Sequence, residues 1–266
     1  MRVLFTITTL LLIMSCKQNT NKTANKQNEK MSVIPVKASK IYPDNISGVF
    51  KAHGGIDTWN TMKSLVFEFD TPNGIEKTLT ALKSRKALVE TDNYKIGFDG
   101  EKVWLKDDAS VYKGNAKFYY NLRTYFYAMP FILGDDGINY ENVEPLVVEG
   151  ETYPGVKISY NNGVGLSSGD EYVLYFDAKT HKMTWLSYTV TYFTKEKSEK
   201  FSYIKYSNWQ TINGLLLPET LTWYKTVNNK PTTTVSKTIQ FNNVSVSKTA
   251  PSDAMFKMVD GAKLVE

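Results

Sequence analysis

Residues that build metal sites and disulfides are scarce in this sequence. Its 266 residues include one cysteine, Cys16, and two histidines, His53 and His181. One cysteine cannot form an internal disulfide or a thiolate metal cage, and two widely separated histidines do not make a histidine-rich site. The sequence also lacks phosphate-binding loops and dinucleotide-binding fingerprints. We therefore expect no bound metal and no cofactor.

Long apolar runs are absent as well beyond the N-terminus. No stretch there reaches the roughly 20 apolar residues that a membrane-spanning helix needs. The hydrophobic fraction of 42% and the aromatic fraction of 13% nevertheless exceed what a disordered chain carries. The length permits one or two domains, since a single all-β domain can take up more than about 200 residues. The sequence thus predicts a soluble globular body.

The net charge of +5 is concentrated at the N-terminus. From Ser32 onward the chain has 27 basic and 26 acidic residues, so the rest of the chain is almost neutral. Its only basic cluster, Lys83, Arg85 and Lys86, lacks the interleaved aromatic residues of a nucleic-acid interface. This cluster could instead meet lipid head groups at a cavity rim or an anionic partner. We expect no nucleic-acid partner and seek the function in apolar and aromatic residues.

The first sixteen residues follow the pattern of a cleaved secretory signal. A positive charge at Arg2 precedes an apolar stretch, residues 3–14, that is too short to span a bilayer. The run Ile13-Met14-Ser15-Cys16 resembles the lipobox of bacterial lipoproteins, in which the cysteine is acylated and becomes the new N-terminus. The resemblance implies a signal peptide over residues 1–15 and a lipidated Cys16. The alternatives are a buried free cysteine and an ordinary signal with a chance cysteine.

The residues after the cysteine predict a tether. Lys17 stands where enterobacterial lipoproteins kept in the inner membrane have aspartate, so the resemblance implies the outer membrane, on a face that the sequence does not specify. Residues 16–40 are rich in Asn, Lys, Gln and Thr and contain no aromatic residue. Such a segment cannot bury enough apolar surface to offset its ordering entropy. We expect a flexible tether over 16–40 and a single domain over 41–266.

A short helix is predicted at the start of this domain. Asp44 can cap its N-terminus, and four residues at helical spacing form one stripe, namely Ile46, Val49, Phe50 and His53. Gly54-Gly55 then ends the helix, and a further turn carries Trp59. We interpret His53 as a C-terminal imidazole that bonds the last helix carbonyls, in preference to a catalytic base or a metal ligand.

From residue 65 onward apolar and polar residues alternate, which is typical of antiparallel strands with one solvated face. Hairpin turns are indicated by Asp99-Gly100 and Asn213-Gly214, and another reversal by residues 177–180. The pattern predicts about eleven strands, at roughly 64–71, 75–82, 85–91, 94–98, 102–106, 153–160, 171–177, 182–193, 199–209, 216–227 and 234–246.

One aromatic segment, residues 113–133, breaks the β pattern with a helical stripe. The stripe consists of Phe118, Leu122, Tyr125, Phe126 and Met129, and Pro130 stops or kinks the helix. A helix that is apolar nearly all round must be covered, and the sheet's apolar face is the obvious cover. A twisted sheet of so many strands curls or closes. We therefore predict a mainly β (α+β) fold, a curved antiparallel sheet forming a half-open barrel around inserted helices.

Three stretches of the domain carry a family resemblance. They are the opening helix with Ala52-His53-Gly54-Gly55 and Trp59, the hairpin over 172–192, and the run 206–218 that ends in Gly214-Leu215-Leu216-Leu217-Pro218. On these residues the sequence resembles the half-open β-barrels of the bacterial lipoprotein carriers LolA and LolB and related mycobacterial lipid-binding lipoproteins. It is also similar to uncharacterised Bacteroidota lipoprotein domains that share the paired glycines. The likeness spans most of residues 45–250.

In that superfamily, helices cover an apolar concave side that holds acyl chains. The resemblance therefore implies a lipid, an acyl chain or a lipoprotein as ligand. The implied ligand-binding residues are Phe118, Leu122, Phe126 and Met129 in the lid and Phe67, Phe69, Ile96, Phe98, Trp223 and Phe241 in the wall. The alternative is a structural or interaction lipoprotein of the cell envelope whose interior these side chains fill. The expected anchor suits a receptor, acceptor or local binder better than a soluble carrier.

Two patterns invite a catalytic interpretation, and each has a simpler one. Gly165-Leu166-Ser167-Ser168-Gly169 matches the pattern of a nucleophile elbow. That motif requires a strand before the serine and a helix after it, and the sequence does not predict this order here. The paired carboxylates Asp107-Asp108 and Asp135-Asp136 stand next to turn-forming residues, so we interpret them as solvated turns. We expect a binding protein rather than an enzyme, with an oligomeric state that the sequence does not specify.

Overall fold

Two antiparallel sheets of seven strands each form the fold in the computed structural model, which describes residues 40–161 and 169–266. The strands are, in chain order, β1 (Ser64–Thr71), β2 (Gly74–Ala81), β3 (Ala87–Glu90), β4 (Lys95–Phe98), β5 (Val103–Lys106), β6 (Ile138–Val148), β7 (Glu151–Tyr160), β8 (Tyr172–Phe176), β9 (Met183–Tyr188), β10 (Ser202–Ile212), β11 (Leu215–Val227), β12 (Lys230–Gln240), β13 (Asn242–Ser247) and β14 (Lys263–Leu264). The first sheet has the order β13-β1-β2-β3-β4-β5-β14 and the second the order β12-β11-β10-β9-β8-β7-β6. Neither sheet closes on itself, and the mainly β, half-open fold class is confirmed.

Among the described residues, five short α-helices accompany the sheets. They are α1 (Asp44–Ala52), α2 (Ile56–Thr61), α3 (Ala116–Tyr119), α4 (Leu122–Tyr127) and α5 (Met129–Ile132). The predicted cap at Asp44 is wrong, because Pro43, with its fixed φ, occupies the capping position and α1 has no side-chain cap. The stripe is confirmed, since Ile46, Val49 and Phe50 are buried.

After β12 the chain returns from the second sheet to the first at a single residue. β12 ends at Gln240 and β13 begins at Asn242, so the predicted strand 234–246 is two strands that belong to different sheets. The Phe241 N–H between them donates to the Glu219 carbonyl at 2.8 Å. The Phe241 ring enters the core, where its centroid lies 4.5 Å from that of Tyr127.

The main core lies where the inner faces of the sheets meet the helices. Along β1, Leu65, Phe67 and Phe69 are buried while Asp70 is exposed, as the alternation predicts. Trp59 of α2 stacks on Phe131 of α5, with ring centroids 4.6 Å apart and planes 7° from parallel. Burying each large apolar side chain stabilises the fold by roughly 1.5–3 kcal/mol. Aliphatic and aromatic side chains of the chain itself pack this core.

The outer faces are less polar than the alternation predicts. All five residues of β8 are buried, because Tyr175 packs on the outer side of its sheet with Trp185. On the other sheet, Trp104 packs on Phe256 of a C-terminal 3-10 turn, and the indole N–H donates to the Phe256 carbonyl at 2.9 Å. The prediction of one solvated face is wrong at these two places, where apolar side chains form small outer clusters.

The aromatic segment 113–133 forms three short helices instead of one. Asn115 caps α3, and its Oδ1 accepts a hydrogen bond from the Phe118 N–H at 3.0 Å. Pro130 neither ends nor kinks a long helix, because it lies in the first turn of α5, where its missing N–H breaks no helical bond. The residues of the predicted stripe are therefore distributed over three helices, and the chain changes direction between one helix and the next.

Strand β6, an edge strand of the second sheet, was not predicted from the sequence. Only Ile138 and Leu146 of its eleven residues are buried. A strand with one neighbour and little burial has no clear period of two, since few of its positions face a core. β14 was missed because it is only two residues long.

Candidate functional site

A cavity of about 400 Å³ lies between α3, α4 and the facing ends of β7 and β8. Its volume falls within the roughly 300–1,000 Å³ typical of small-ligand sites. The lining residues are Arg85, Phe118, Tyr120, Asn121, Leu122, Tyr125, Ile132, Asp135, Asp136, Tyr160, Asp170, Tyr172 and Tyr192. We call this space the edge cavity, because it lies beside the packed core rather than within it.

Six of the thirteen residues that line the edge cavity are aromatic. Tyr172, at the start of β8, has its ring centroid 5.6 Å from that of Tyr125 and 5.9 Å from that of Tyr160. At another part of the wall, Phe118 and Tyr192 lie 4.9 Å apart. These rings are held by mutual edge and tilted contacts, which aromatic pairs favour. The wall is therefore preformed and presents ring faces and edges to the space.

Charged groups of both signs line the same cavity. Arg85, in the turn between β2 and β3, forms an ion pair with Asp135 just after α5. Asp170, which is 5% exposed, accepts hydrogen bonds at Oδ1 from the Thr191 N–H at 2.6 Å and the Thr191 hydroxyl at 2.8 Å. Asp136 adds a third carboxylate. The lining thus combines an apolar body with a few fixed polar groups, as ligand sites do.

Two buried polar atoms of the lining have no hydrogen-bond partner within the part of the chain that the structure describes, the Tyr160 hydroxyl and Asn121 Oδ1. Buried polar atoms without partners are unfavourable, so such atoms beside a cavity indicate where a ligand could bond. Burial and, secondarily, the nearby Asp170 carboxylate raise the pKa of Tyr160 well above its ordinary value. Its hydroxyl therefore remains protonated at neutral pH.

The structure separates the predicted ligand-binding residues into two groups. Phe118 and Leu122 line the edge cavity. The others lie in packed regions: Phe126, Met129, Phe67, Phe69 and Phe241 in the main core, Trp223 half-buried against it, and Ile96 and Phe98 in a smaller cluster on the first sheet. Contact of the second group with a ligand stays a prediction.

Sequence reasoning missed most of the wall of the edge cavity. Tyr160 and Tyr172 stand at strand ends, and Asp170 lies in the connection between β7 and β8. Tyr160 continues the alternation of Val156 and Ile158, but a period of two within one strand does not show that the strand end faces α4. The available signal was composition, since tyrosines cluster at the ends of these two strands. Asp135 and Asp136 do lie in a turn, as predicted, but both also face the cavity.

A second buried polar group, Glu76 on β2, faces the helices. Its carboxylate is fully buried and accepts hydrogen bonds from the hydroxyls of Tyr94 at 3.0 Å and Tyr119 at 2.9 Å. The Arg123 guanidinium donates to the Tyr119 hydroxyl at 3.3 Å. Burial raises the pKa of Glu76, while these hydrogen bonds oppose the rise. This network anchors α3 and α4, the helices that roof the edge cavity, to the first sheet.

The interpretation of His53 is confirmed. Its Nδ1 lies 2.8 Å from the Val49 carbonyl at the end of α1. Burial lowers the pKa of His53 to about 4. The imidazole is therefore neutral at pH 7, and Nδ1 carries the proton that it donates to the carbonyl.

The remaining sequence candidates have structural explanations or lie outside the described residues. Asp107 accepts hydrogen bonds from two backbone N–H groups in a turn, as predicted. In the basic cluster, Arg85 pairs with Asp135 and Lys86 with Asp253, so two of its charges are compensated. Residues 165–168 of the nucleophile-elbow pattern lie outside the described residues, as does Cys16.

Two further findings concern the described residues 40–161 and 169–266. They contain no group of three or more His, Cys, Asp or Glu side chains placed to hold a metal ion. None of their helices has the length and apolar character required to cross a membrane.

Comparison with the profiles of known protein families identifies the family of this chain. The profile of a family of unknown function, DUF6503, matches residues 62–240. The chain belongs to this family. The match begins just before β1 and ends with β12, so it takes in the second sheet, strands β1 to β5 of the first sheet and the edge cavity. No curated protein matches the sequence.

Several solved structures are similar to this family member. A DUF1329 family protein from Desulfovibrio piger is 14% identical, with a TM-score of 0.46, 81% of this chain and 98% of that chain covered. A LolA superfamily protein from Nitrosomonas europaea is 10% identical, with a TM-score of 0.45 and coverage of 79% and 96%. A putative outer membrane lipoprotein-sorting protein domain from Vibrio parahaemolyticus is 7% identical, with a TM-score of 0.40 and coverage of 74% and 92%. A LolA superfamily protein is thus among the solved structures to which the chain is similar, and the likeness to Bacteroidota domains stays a prediction.

Proposed function

We propose that this protein is a lipid-anchored lipoprotein of the bacterial cell envelope that binds an apolar ligand, without catalysis, in the edge cavity. The observation that supports the proposal is the cavity itself. It has ligand size, six aromatic side chains in its lining, and two buried polar atoms that lack partners among the described residues.

The proposed ligand is smaller than the sequence implied. The main core is packed by its own side chains, so a lipid cannot fill the whole half-barrel without displacing them. The edge cavity has room for one acyl chain or a molecule of similar bulk, with Phe118 and Leu122 contacting it from the roof and Tyr160 and Tyr172 from the sheet. The packed core equally favours a second candidate, a structural lipoprotein with a filled interior.

The proposal also includes a lipid anchor at Cys16. The lipobox resemblance around Cys16 implies acyl chains on the mature N-terminus, and Lys17 favours the outer membrane. An anchored domain with a small cavity suits a local binder or acceptor that takes its ligand from, or delivers it to, a neighbour in the same membrane.

Native mass spectrometry of the full chain, extracted from its own membranes and followed by lipid analysis, tests the proposal. We expect one apolar molecule per chain. Replacing Leu122 with tryptophan (Leu122→Trp) fills the cavity from its roof and should remove that molecule. The control is Ile75→Trp, because Ile75 is 57% exposed on the outer side of β2 and is not part of the cavity lining.

The two candidate functions give different outcomes in this experiment. A copurifying ligand that is lost in Leu122→Trp and kept in Ile75→Trp supports binding, provided that both variants unfold at the wild-type temperature. If the wild-type chain carries no stoichiometric apolar molecule, or if Leu122→Trp retains it fully, the binding proposal fails and the structural lipoprotein is favoured.

A further inference from the structure

We propose that two loops at one end of the second sheet insert exposed apolar side chains into the lipid bilayer, beside the edge cavity. The loops are residues 189–201, between β9 and β10, and residues 225–230, around the turn between β11 and β12. We call them the loop rim. The inference rests on the proposed function, because the proposed anchor brings the domain to a membrane, and it adds a second contact between the domain and the lipid.

The two parts of the loop rim lie at the same end of the sheet and are bonded to each other. The first loop leaves β9 after Tyr188 and enters β10 at Ser202, and these two residues pair across the strands. The Asn229 side-chain amide, from the second loop, donates to the Glu199 carbonyl at 2.7 Å. Its Oδ1 accepts from the Phe201 N–H at 3.2 Å. The rim is therefore one connected surface.

Three large apolar side chains of the loop rim face the solvent. Phe193 is 62% exposed, Val227 is 61% exposed and Val190 is 38% exposed. Leaving such side chains in water forgoes the free energy that their burial would contribute. Single exposed apolar residues are common on protein surfaces, but three on one connected rim indicate a surface that another apolar phase covers.

Phe193 is presented by a preformed turn. The Lys195 N–H donates to the Thr191 carbonyl at 2.8 Å, which closes the turn around Phe193. The Phe193 ring centroid lies 5.1 Å from that of Tyr192 and 5.0 Å from that of Phe118. Because these contacts already hold the ring, inserting it into lipid costs little additional ordering entropy.

The same aromatic cluster borders the edge cavity. Phe118 and Tyr192, which contact Phe193, both line the cavity. A bilayer that surrounds Phe193 therefore reaches the side of the cavity that Phe118 and Tyr192 form. An apolar ligand could then pass between lipid and cavity with little exposure to water, which its apolar surface makes unfavourable.

The charges of the loop rim favour a lipid surface over an apolar protein surface. The charged residues of the rim are two glutamates, Glu196 and Glu199, and five lysines, Lys195, Lys197, Lys200, Lys225 and Lys230. The rim therefore has a formal net charge of +3. The Lys195 ammonium lies 4.3 Å from the Tyr192 ring centroid. Lysines that flank apolar and aromatic side chains are typical of segments at the membrane interface, where they attract anionic head groups.

Val147 supplies a matched control at the opposite end of the same sheet. It is 60% exposed, nearly as much as Val227, and it lies on β6 just before the turn that leads into β7. β7 runs from Glu151 at this turn to Tyr160 on the side of the loop rim, and its ten residues span about 30 Å. An inserted rim therefore leaves Val147 in water.

Site-directed spin labelling tests the inference, since Cys16 is the only cysteine of the chain. Phe193→Cys, Val227→Cys and Val147→Cys are each labelled in the full chain, in vesicles of phosphatidylethanolamine and anionic phosphatidylglycerol. Collisions of the label with oxygen and with a polar nickel chelate are then measured. We expect the oxygen-to-nickel ratio to be about threefold higher at positions 193 and 227 than at position 147, because apolar oxygen concentrates in hydrocarbon. The wild-type chain, treated in the same way, gives the baseline that is subtracted.

The outcomes separate this inference from the proposed function. Equal ratios at the three positions would overturn insertion of the rim, whether or not a ligand copurifies. Labels on the rim that lose mobility without gaining oxygen contact would also overturn it, and would indicate contact with a second copy of the chain. Native mass spectrometry of the wild-type chain reports the ligand separately. An inserted rim on a chain that carries no apolar molecule would support this inference and contradict the proposed function.

Discussion

His53 is held neutral in the fold because its two ring nitrogens meet different surroundings. Nδ1 donates to the Val49 carbonyl, whereas Nε2 is buried and has no partner within the part of the chain that the structure describes. The ring also packs edge-on against Trp209, with centroids 4.7 Å apart. Adding a proton at Nε2 would create a buried charge with no acceptor nearby, which is why burial lowers the pKa of His53 from its usual 6.5 to about 4.

The lowered pKa of His53 predicts a loss of stability in mild acid. Between pH 6.5 and about pH 4 the unfolded chain binds a proton at this residue that the folded chain does not. The free energy of unfolding is therefore not reduced by His53 above pH 6.5. It falls by about 3 kcal/mol as the pH drops from 6.5 to about 4, because the unfolded chain gains a proton there that the folded chain does not. Urea unfolding of wild type and His53→Gln at several pH values measures this loss of unfolding free energy.

The comparison of the two chains isolates the effect of His53, because every other titratable group is present in both. We expect the difference in unfolding free energy between wild type and His53→Gln to shrink or change sign on acidification. An equal pH dependence in wild type and His53→Gln would contradict the assignment.

The role of His53 could be predicted from the sequence, whereas the burial of Glu76 could not. Helical spacing places His53 at the end of an apolar stripe next to two glycines, so its bond to a helix carbonyl follows from local chemistry. Glu76 lies in a strand whose apolar residues, such as Leu79, face outward. The burial of Glu76 follows only from register, because the two-residue loop after Thr71 sets Glu76 opposite the buried Phe69.

At the scale of elements, α1 is held against the second sheet by its C-terminal glycine. The Leu216 N–H at the start of β11 donates to the His53 carbonyl at 3.0 Å. Gly54 follows with a φ of +96°, and a Cβ added there would lie 2.0 Å from the Gly214 carbonyl oxygen. The Asn213-Gly214 hairpin turn and the paired glycines, separate motifs in the sequence, therefore form one contact.

This contact predicts different costs for the two neighbouring glycines. Both have positive φ, but a Cβ at Gly55 meets no atom closer than 3.8 Å. Gly55→Ala should lower the free energy of unfolding by about 1–3 kcal/mol, because a φ of 92° with a ψ of 141° is a backbone conformation that residues other than glycine rarely adopt. Gly54→Ala should lower it by at least about 2 kcal/mol more, because the helix must move away from the hairpin. Urea unfolding of both variants measures the difference, and equal losses would show that the close approach is unimportant.

Most elements could be predicted from the sequence where one face is buried and a turn ends the pattern. β1 was predicted with its observed bounds, and the hairpin at Asn213-Gly214 is confirmed by the pairing of Ile212 with Leu215. Division into two sheets could not be predicted, because the change at Phe241 takes one residue and leaves the alternation of 234–246 intact. The alternation of apolar and polar residues indicates which side of a strand is buried, but it does not indicate which sheet the strand joins.

At the scale of the whole molecule, residues of one predicted helical stripe contribute to a packed core and to a cavity. Phe126, from the predicted lid, is 5% exposed and packs in the core, while Leu122, one turn earlier, lines the edge cavity. The sequence could not separate them, because both lie on the same stripe. The difference depends on what faces each residue, which is set by β7 and β8 far along the chain.

The proposed anchor sets how the whole molecule is held, and it depends on one thiol. Cys16→Ser removes the sulfur to which the lipid is attached, and serine cannot replace it in the thioether bond. Since each buried CH₂ contributes about 0.8 kcal/mol, losing the acyl chains should release the chain from the membrane. We expect Cys16→Ser to lose labelling by a tagged fatty acid and to leave the membrane fraction, whereas Ser15→Ala, which keeps a small residue before the cysteine, should retain both. A Cys16→Ser chain that is still labelled and sediments with membranes would show that the anchor lies elsewhere.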